Sequence, residues 1–329
     1  MLRIGIIGSN FITETFMNAA GQVEKVEVTA LYSRSEERAK AYAAAQGIPN
    51  TFTNLEEMAQ SDVIDAIYIA SPNSMHAKYA ITFMNHGKHV LCEKPLASNA
   101  TEVQEMIDAA QANKVLLMEA MKSTVMPNFD AIRENLHKLG KVRTFFASFC
   151  QYSSRYDKYK AGEVMNAFLP ELSNGSLMDI GTYCIYPLVV LFGRPDSVKA
   201  SAVMLDSGVD GKGSLILNYG DMEAVLLHSK ISNSNMPTEI QGEEGNMIIE
   251  RISQPSSVRI QYRDGRPEED VSRPQADNSM VYEIEAFAEL IERRELESPV
   301  NSYASSLAVM EIMDEARRQI GLAYPADKN

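Results

Sequence analysis

The sequence predicts an α/β protein in two parts: a doubly wound parallel sheet, then an α+β domain with a large, mostly antiparallel open sheet. Three observations carry this. The first 120 residues alternate continuous apolar runs of strand length with helical patterns, as parallel strands covered on both faces do. Beyond them, strand-like runs follow one another across short polar or glycine-containing turns. A chain of 329 residues is also long for a single core. The division falls near Ala120-Met121-Lys122, giving domains 1–120 and 121–329.

In the first part, a strand over 2–8 precedes a helix near 11–20, and Val26–Ser33 precedes a helix near 35–46. A short strand at 51–53 leads to a helix over 54–60, and Ala66–Ala70 to a helix over 75–86. His89–Glu93, a helix over 99–112 and Val115–Glu119 complete six strands in alternation. In the second part a helix near 127–138 precedes the long alternating strand Val142–Tyr152, and a helix covers 176–192. Strands then follow at Ser197–Leu205, Gly213–Asn218, Glu223–Ile231, Thr238–Gln241, Met247–Arg251 and Val258–Tyr262. Two closing helices, 280–294 and 302–320, place Phe287, Leu290, Ile291, Leu307, Met310, Ile312 and Met313 at helical spacing, the core faces of amphipathic helices.

With 45% hydrophobic and 23% charged residues, the composition is that of a soluble globular protein. No apolar run is read as reaching membrane-spanning length, so no membrane is expected as a partner. Strand-like residues from Leu2 onward leave no room for a cleavable signal ahead of them. Cys92, Cys150 and Cys184 lie far apart in apolar contexts without metal-ligand spacing, which predicts buried free thiols, no metal and a cytoplasmic location. A formal charge of −13 argues against nucleic acid.

Where the first strand turns into the first helix stands Gly5-Ile6-Ile7-Gly8-Ser9-Asn10-Phe11-Ile12-Thr13. A dinucleotide (Rossmann) fold needs a tight turn there, so that backbone N–H groups and a helix N-terminus face the pyrophosphate. Gly8 fits the first glycine position of G-x-G-x-x-G, while Asn10 and Thr13 occupy the second and third. Asn tolerates a left-handed backbone, although its side chain crowds the pyrophosphate approach. Gly8, Ser9, Asn10, Phe11 and Ile12 are the candidate pyrophosphate residues. The second strand ends in Ser33-Arg34, with Arg38 one turn on, where an NAD site would place an acidic residue. A hydroxyl and guanidinium groups suit a 2′-phosphate, so NADP(H) is preferred and NAD(H) remains possible. Arg34 as a plain surface charge is the alternative.

The fifth strand ends in Glu93-Lys94-Pro95, a lysine whose burial is costly unless something uses it. Downstream lies Gly175-Ser176-Leu177-Met178-Asp179-Ile180-Gly181-Thr182-Tyr183. With the fingerprint, Ser71-Pro72-Asn73-Ser74-Met75-His76 and Glu297-Ser298-Pro299, these motifs make the chain resemble the Gfo/Idh/MocA oxidoreductase family almost end to end. Its branch of dimeric dihydrodiol dehydrogenases, glucose–fructose oxidoreductases and xylose dehydrogenases is the most similar by motif.

Hydride transfer between a nicotinamide and a carbinol carbon needs a group that moves the hydroxyl proton. Asp179 and Tyr183 are four apart and share a helix face, with Gly181 leaving room beside them. A phenol is a poor base at neutral pH, and a neighbouring ammonium favours its phenolate. The resemblance implies that Lys94 and Tyr183 bond the reacting oxygen while Asp179 orients the pair. It also implies a cis Lys94–Pro95 bond and a cofactor-bordering loop containing Ser71, Pro72, Asn73 and His76, with Glu93 beside it.

Structural readings stand beside these. Tyr183 could be a core tyrosine, Asp179 a helix N-terminal charge, and Lys94-Pro95 only a turn. His76 could merely support its loop, and Glu119 could be a structural ion partner.

The segment from Tyr152 through Leu172 suits a wall over a hydroxylated substrate, with Arg155 and Tyr156 as candidate contacts. Ser173-Asn174 replaces a Gly-Gly that relatives often carry. The implied activity is NADP-dependent oxidation or reduction of a sugar, a polyol or a trans-dihydrodiol. Two rivals share the fold: a non-catalytic dinucleotide-binding regulator, and an NAD-dependent glycosidase. Retention of Lys94, Asp179 and Tyr183 together argues against the first, and the second usually carries histidine where this chain has Tyr183. The open face of the second sheet is expected to pair with another subunit, as a homodimer or higher homo-oligomer.

Overall fold

The computed structural model describes residues 1–328. The chain forms two units: Met1–Lys122 with Ala276–Ser306, and Ser123–Gln275 with the residues from Leu307 on.

In the first unit, strands β1 (Leu2–Ile7), β2 (Val26–Tyr32), β3 (Asn50–Phe52), β4 (Ala66–Ile69), β5 (His89–Glu93) and β6 (Leu117–Ala120) alternate with helices. These are α1 (Phe11–Ala20), α2 (Glu36–Gln46), α3 (Leu55–Gln60), α4 (His76–Asn85) and α5 (Ala100–Asn113). All pairings are parallel, in the order β3-β2-β1-β4-β5-β6. Strand order reverses between β1 and β4, and a doubly wound sheet presents its crevice outside the carboxyl ends of the strands there. Gly8, Ser33, Ala70 and Lys94 each follow directly on one of these ends.

The second unit is built on an eight-stranded sheet: β7 (Val142–Cys150), β8 (Ser197–Met204), β9 (Asp210–Asn218), β10 (Glu223–Ser229), β11 (Thr238–Gly242), β12 (Gly245–Ile249), β13 (Val258–Tyr262) and β14 (Glu269–Asp270). The order is β14-β13-β12-β11-β7-β10-β9-β8, antiparallel except for the central β7–β10 pair. β14 is too short to have been foreseen. Helix α6 (Pro127–Asn135) gives way to a 3₁₀ turn, Leu136–Leu139, where one continuous helix was expected. A short α7 (Tyr156–Lys160) forms in a stretch whose sequence reads as loop, and α8 (Thr182–Phe192) lies on β7 and β10. Phe145, Ala147, Ala224 and Leu226 are buried on the helix side of the sheet, while Val203, Met204 and Ile216 are exposed.

Two sequence expectations need correction. Pro170–Phe192 does reach the length and apolarity of a membrane span, but 72% of that window is buried, so its apolarity is spent on the core. The second concerns α9 (Met280–Glu292), which the sequence reading keeps in a domain 121–329. It packs along α1 and turns Met280, Ile284, Phe287 and Leu290 into the core made by Ile4, Phe16, Leu31 and Tyr68. Asn278 Nδ2 adds a hydrogen bond to the Thr15 carbonyl at 2.9 Å. An apolar helix face goes where it can be covered, whatever its place in the chain. The last helix, α10 (Tyr303–Ile320), begins among first-unit residues and continues among second-unit ones.

Phe287 is fully buried, so Phe287→Ala should destabilise the protein by about 3–5 kcal/mol in denaturant unfolding. A loss below about 1 kcal/mol would show that this helix does not share the first core.

Candidate active site

At the nucleotide end, β1 passes into α1 through Gly8, whose φ is +121°. A Cβ there would lie 2.8 Å from the Ala70 carbonyl oxygen and 3.0 Å from Thr13 Oγ1, so only glycine fits this close turn. Asn10 does not take the left-handed backbone that the sequence reading allowed it. It is extended (φ −104°, ψ −178°) and caps α1, its Oδ1 accepting from Ile12 N at 3.1 Å and Thr13 N at 3.2 Å. Its side chain is therefore drawn to the helix end, which removes the expected crowding. Ser9 and Phe11 are exposed, Phe11 by 80%.

At the end of β2, Ser33 is half-buried and its Oγ accepts from Ser35 N at 3.3 Å. Arg34 and Arg38 are exposed, and neither joins an ion pair among the described residues. Two uncommitted guanidinium groups beside a hydroxyl fit a phosphate monoester. The glycine turn, helix end and arginines together fit a phosphorylated dinucleotide.

Around Lys94 the peptide bond to Pro95 is cis, as the resemblance implies. Three buried side chains hold this turn. Leu96 N donates to Glu119 Oε1 at 3.0 Å, and burial pushes the Glu119 carboxyl from 4.5 up to about 7, against the stabilising bonds of Ser306 and Leu96. Tyr68 donates its hydroxyl to Glu93 Oε1 at 2.6 Å. His76 is wholly buried, with Nδ1 2.9 Å from the Pro95 carbonyl and Nε2 3.0 Å from the Ser71 carbonyl. Burial holds its pKa below the usual range. Of the two readings left open, loop support is the one its geometry fits; a fully enclosed ring has no face for a cofactor. Glu93, 9% exposed, is bonded inward to Tyr68. Ser71 and Asn73 are half-buried and Pro72 exposed in the loop and 3₁₀ turn before α4. Glu119 supports the Leu96 backbone through that hydrogen bond.

In the second unit, Asp179 lies within a π-helical turn, Leu177–Gly181, which passes directly into α8 with Tyr183 in its first turn. Single π turns inside helices are frequent at functional sites. Tyr183 is half-buried and meets Phe149 of β7 edge-on, with ring centroids 5.6 Å apart. Asp179 Oδ2 pairs with the ammonium of Lys230, just beyond β10. The two sequence-predicted residues of this unit thus lie on consecutive helical elements, Asp179 on the π turn and Tyr183 at the start of α8.

The room left by Gly181 serves a different neighbour from the one expected. A Cβ there would come within 3.3 Å of the His228 ring, and one on Gly213 within 2.7 Å. His228 thus sits between two glycines, its Nδ1 2.9 Å from Ser176 Oγ and 3.6 Å from Asp210 Oδ2. Burial pushes its pKa down to about 3, so the ring is neutral and the Asp210 contact is no ion pair. Asp210 itself is raised to about 7 by burial, and its Oδ2 accepts from Leu177 N at 2.7 Å.

Lys230, His228 and Asp210 escaped the sequence reading, yet one signal was available. Ala224, Leu226, His228 and Lys230 alternate along one strand, so parity puts all four on the helix side. Arg155 is exposed ahead of α7, and Tyr156 is half-buried in an aromatic group with Tyr152, Tyr159 and Phe168. Ser173 takes the left-handed backbone (φ 54°) that glycine would favour, and Asn174 Nδ2 donates to the Asn166 carbonyl at 2.9 Å.

Comparison with known proteins agrees with this picture. The pattern of the Gfo/Idh/MocA oxidoreductase family, with its NAD-binding Rossmann fold, matches residues 2–121, and that of the Gfo/Idh/MocA C-terminal domain matches residues 131–248. The chain is 56% identical over 328 residues to the scyllo-inositol 2-dehydrogenase (NADP(+)) of Bacillus subtilis (strain 168), covering 100% of each. It is 33% identical over 333 residues to the trans-1,2-dihydrobenzene-1,2-diol dehydrogenase of Xenopus tropicalis, covering 98% of each. The aldose-aldose oxidoreductase of Caulobacter crescentus, solved with glycerol, shares the fold with a TM-score of 0.86 at 23% identity, covering 97% of each chain. The chain belongs to the Gfo/Idh/MocA oxidoreductase family.

Glu119 generates a pH prediction. Unfolded, its carboxyl ionises near 4.5; folded, it stays neutral until about 7. The folded state therefore loses stability as pH rises between those values, and no more beyond them. Glu119→Gln, which keeps an acceptor for Leu96 N, removes that cost. Between about pH 4 and about pH 8, unfolding free energy should shift in the variant's favour by about 3 kcal/mol relative to the parent. A difference independent of pH in chemical denaturation would refute the assignment.

Proposed function

We propose that the protein is an NADP(H)-dependent dehydrogenase or reductase acting at a CH–OH carbon of a small polyhydroxylated compound, a cyclic polyol foremost, then sugars and trans-dihydrodiols. The observation that carries this reading is the stretch Asp179–Tyr183: an ion-paired carboxylate on the π turn followed by a half-buried phenol in the first turn of α8, in a family member that also has Lys94. Identity to an inositol dehydrogenase across the whole chain favours the cyclic polyol. A dinucleotide sensor has no need of such a proton-moving group.

Gly8, Ser9, Asn10, Phe11 and Ile12 would hold the pyrophosphate at the start of α1. Ser33, Arg34 and Arg38 would take the 2′-phosphate, and Ser71, Pro72 and Asn73 would border the cofactor. When bound, NADP(H) supplies or accepts the hydride. The chain's own part is the proton: Tyr183 takes it from the substrate hydroxyl on oxidation and returns it to the carbonyl oxygen on reduction. In this reading Lys94 supplies the ammonium that favours the phenolate, and Asp179 orients the reacting groups. Arg155 and Tyr156 would contact substrate. Exposed Val203, Met204 and Ile216 on the open sheet support a homodimer, and three free cysteines suit a reducing cytoplasm.

Tyr183→Phe should cut turnover by at least about a hundredfold while NADP(H) binding, followed by nicotinamide fluorescence, is unchanged. Near-normal turnover with scyllo-inositol or another accepted polyol would remove Tyr183 from the mechanism. Ser33→Asp should weaken NADPH relative to NADH by about tenfold or more, because a carboxylate repels the 2′-phosphate. An unchanged ratio of the two affinities would end the argument for NADP(H).

A further inference from the structure

We propose that Lys230 is a positioning residue for the reaction: its ammonium fixes the carboxylate of Asp179, and through it the turn that presents Tyr183. The inference rests on the reading of Asp179 and Tyr183 given above.

Lys230 is 5% exposed, and its side chain ends in an ion pair with Asp179 Oδ2. The pair is lopsided, with side-chain exposures of 7% for the lysine and 33% for the aspartate. The ammonium is sunk beneath a carboxylate that reaches the surface of its unit. Sinking an ammonium costs several kcal/mol unless its partner is well placed, so this lysine tolerates little freedom in Asp179.

Its own position is tied on both sides. Lys230 N donates to the Gly211 carbonyl at 2.9 Å, and its carbonyl accepts from Ser153 N at 2.8 Å. The ammonium also lies 5.9 Å from the centre of the Phe168 ring. Phe168 in turn packs on Tyr156 and Tyr159 at 5.9 and 5.3 Å. One cation thus links the aspartate of the proton-moving turn to the aromatic group proposed to face substrate. Two residues earlier on the same side of the strand, His228 holds Ser176 at the start of that turn. Strand β10 and the residue just past its end therefore grip the turn at two points, one neutral and one charged, and the charged one bears on Asp179.

The test is a double-mutant cycle on the full-length protein with saturating NADP+ and an accepted polyol. Lys230→Met should lower kcat between about tenfold and about a hundredfold, with NADP(H) affinity unchanged. Lys230→Arg, which keeps the charge, should recover most of it. In an Asp179→Asn background, Lys230→Met should cost less than about twofold more, because the partner it serves is already gone. Equal costs in both backgrounds, or no rescue by arginine, would mark Lys230 as merely structural and overturn the proposal. If Lys230→Met does not fold, Lys230→Gln carries the same comparison. Normal turnover in Asp179→Asn would sink the reading of Asp179 and this inference with it. Normal turnover in Lys230→Met beside an impaired Asp179→Asn would sink the inference alone.

Discussion

Ionisable groups sunk at the ends of strands are the constraint around which both units are organised. Each must find a partner, be neutral, or unfold the protein. In the first unit Glu93 and Glu119 end neighbouring strands, and the backbone of the Lys94-Pro95-Leu96 turn is fitted to them. Glu283 of α9 is buried with both carboxylate oxygens lacking a hydrogen bond; burial, with the Glu93 charge nearby, holds its pKa well above the carboxylate range. Protonation there settles what geometry does not. The second unit solves the same problem by pairing, with Lys230 on Asp179, and by neutrality, with His228 against Ser176 and Asp210.

The irregular helix follows from that arrangement. A regular α-helix through Ser176–Phe192 has to share space with an imidazole ring, which leaves no room for a Cβ at Gly213 and little at Gly181. The π turn spans Leu177–Gly181, the stretch in contact with His228 and Asp210. Its effect is to set Asp179 over Lys230 while Tyr183 enters α8 against Phe149. Packing beneath the turn and chemistry above it are therefore one problem with one solution.

The parts legible in the sequence are those governed by short periods and backbone rules. Apolar runs separated by helical spacing imply parallel strands, and the positions of Gly8, Ser33 and Lys94 at strand ends follow from that alternation. Asp179 and Tyr183 could be paired by their spacing. What stayed hidden depends on contacts distant in sequence. Nothing local says that α9 covers the core of a sheet completed far upstream, or that Asn10 would turn inward to cap α1. Nor does spacing distinguish a π turn from an α turn, since the residue that fills the space beside it lies 47 positions beyond Gly181. Lys230 was within reach of strand parity, but an isolated lysine near a strand end ordinarily reads as a solvated charge.

The two units place their candidate residues by different physics. At the nucleotide end, backbone shape does the selecting: a glycine turn with no space for a Cβ and a capped helix start are demands that few substitutions satisfy. In the second unit the irregular stretch 152–174 gathers Tyr152, Tyr156, Tyr159 and Phe168 against one another and against Lys160 and Lys230. Asp179 is paired with Lys230, whose ammonium also lies 5.9 Å from the Phe168 ring, so the charge that holds the carboxylate borders the aromatic group as well. The turn that carries Asp179 is anchored to the sheet through His228 and Lys230, while the aromatic residues beside that lysine come from a separate, irregular segment, so order in the one does not depend on regular structure in the other.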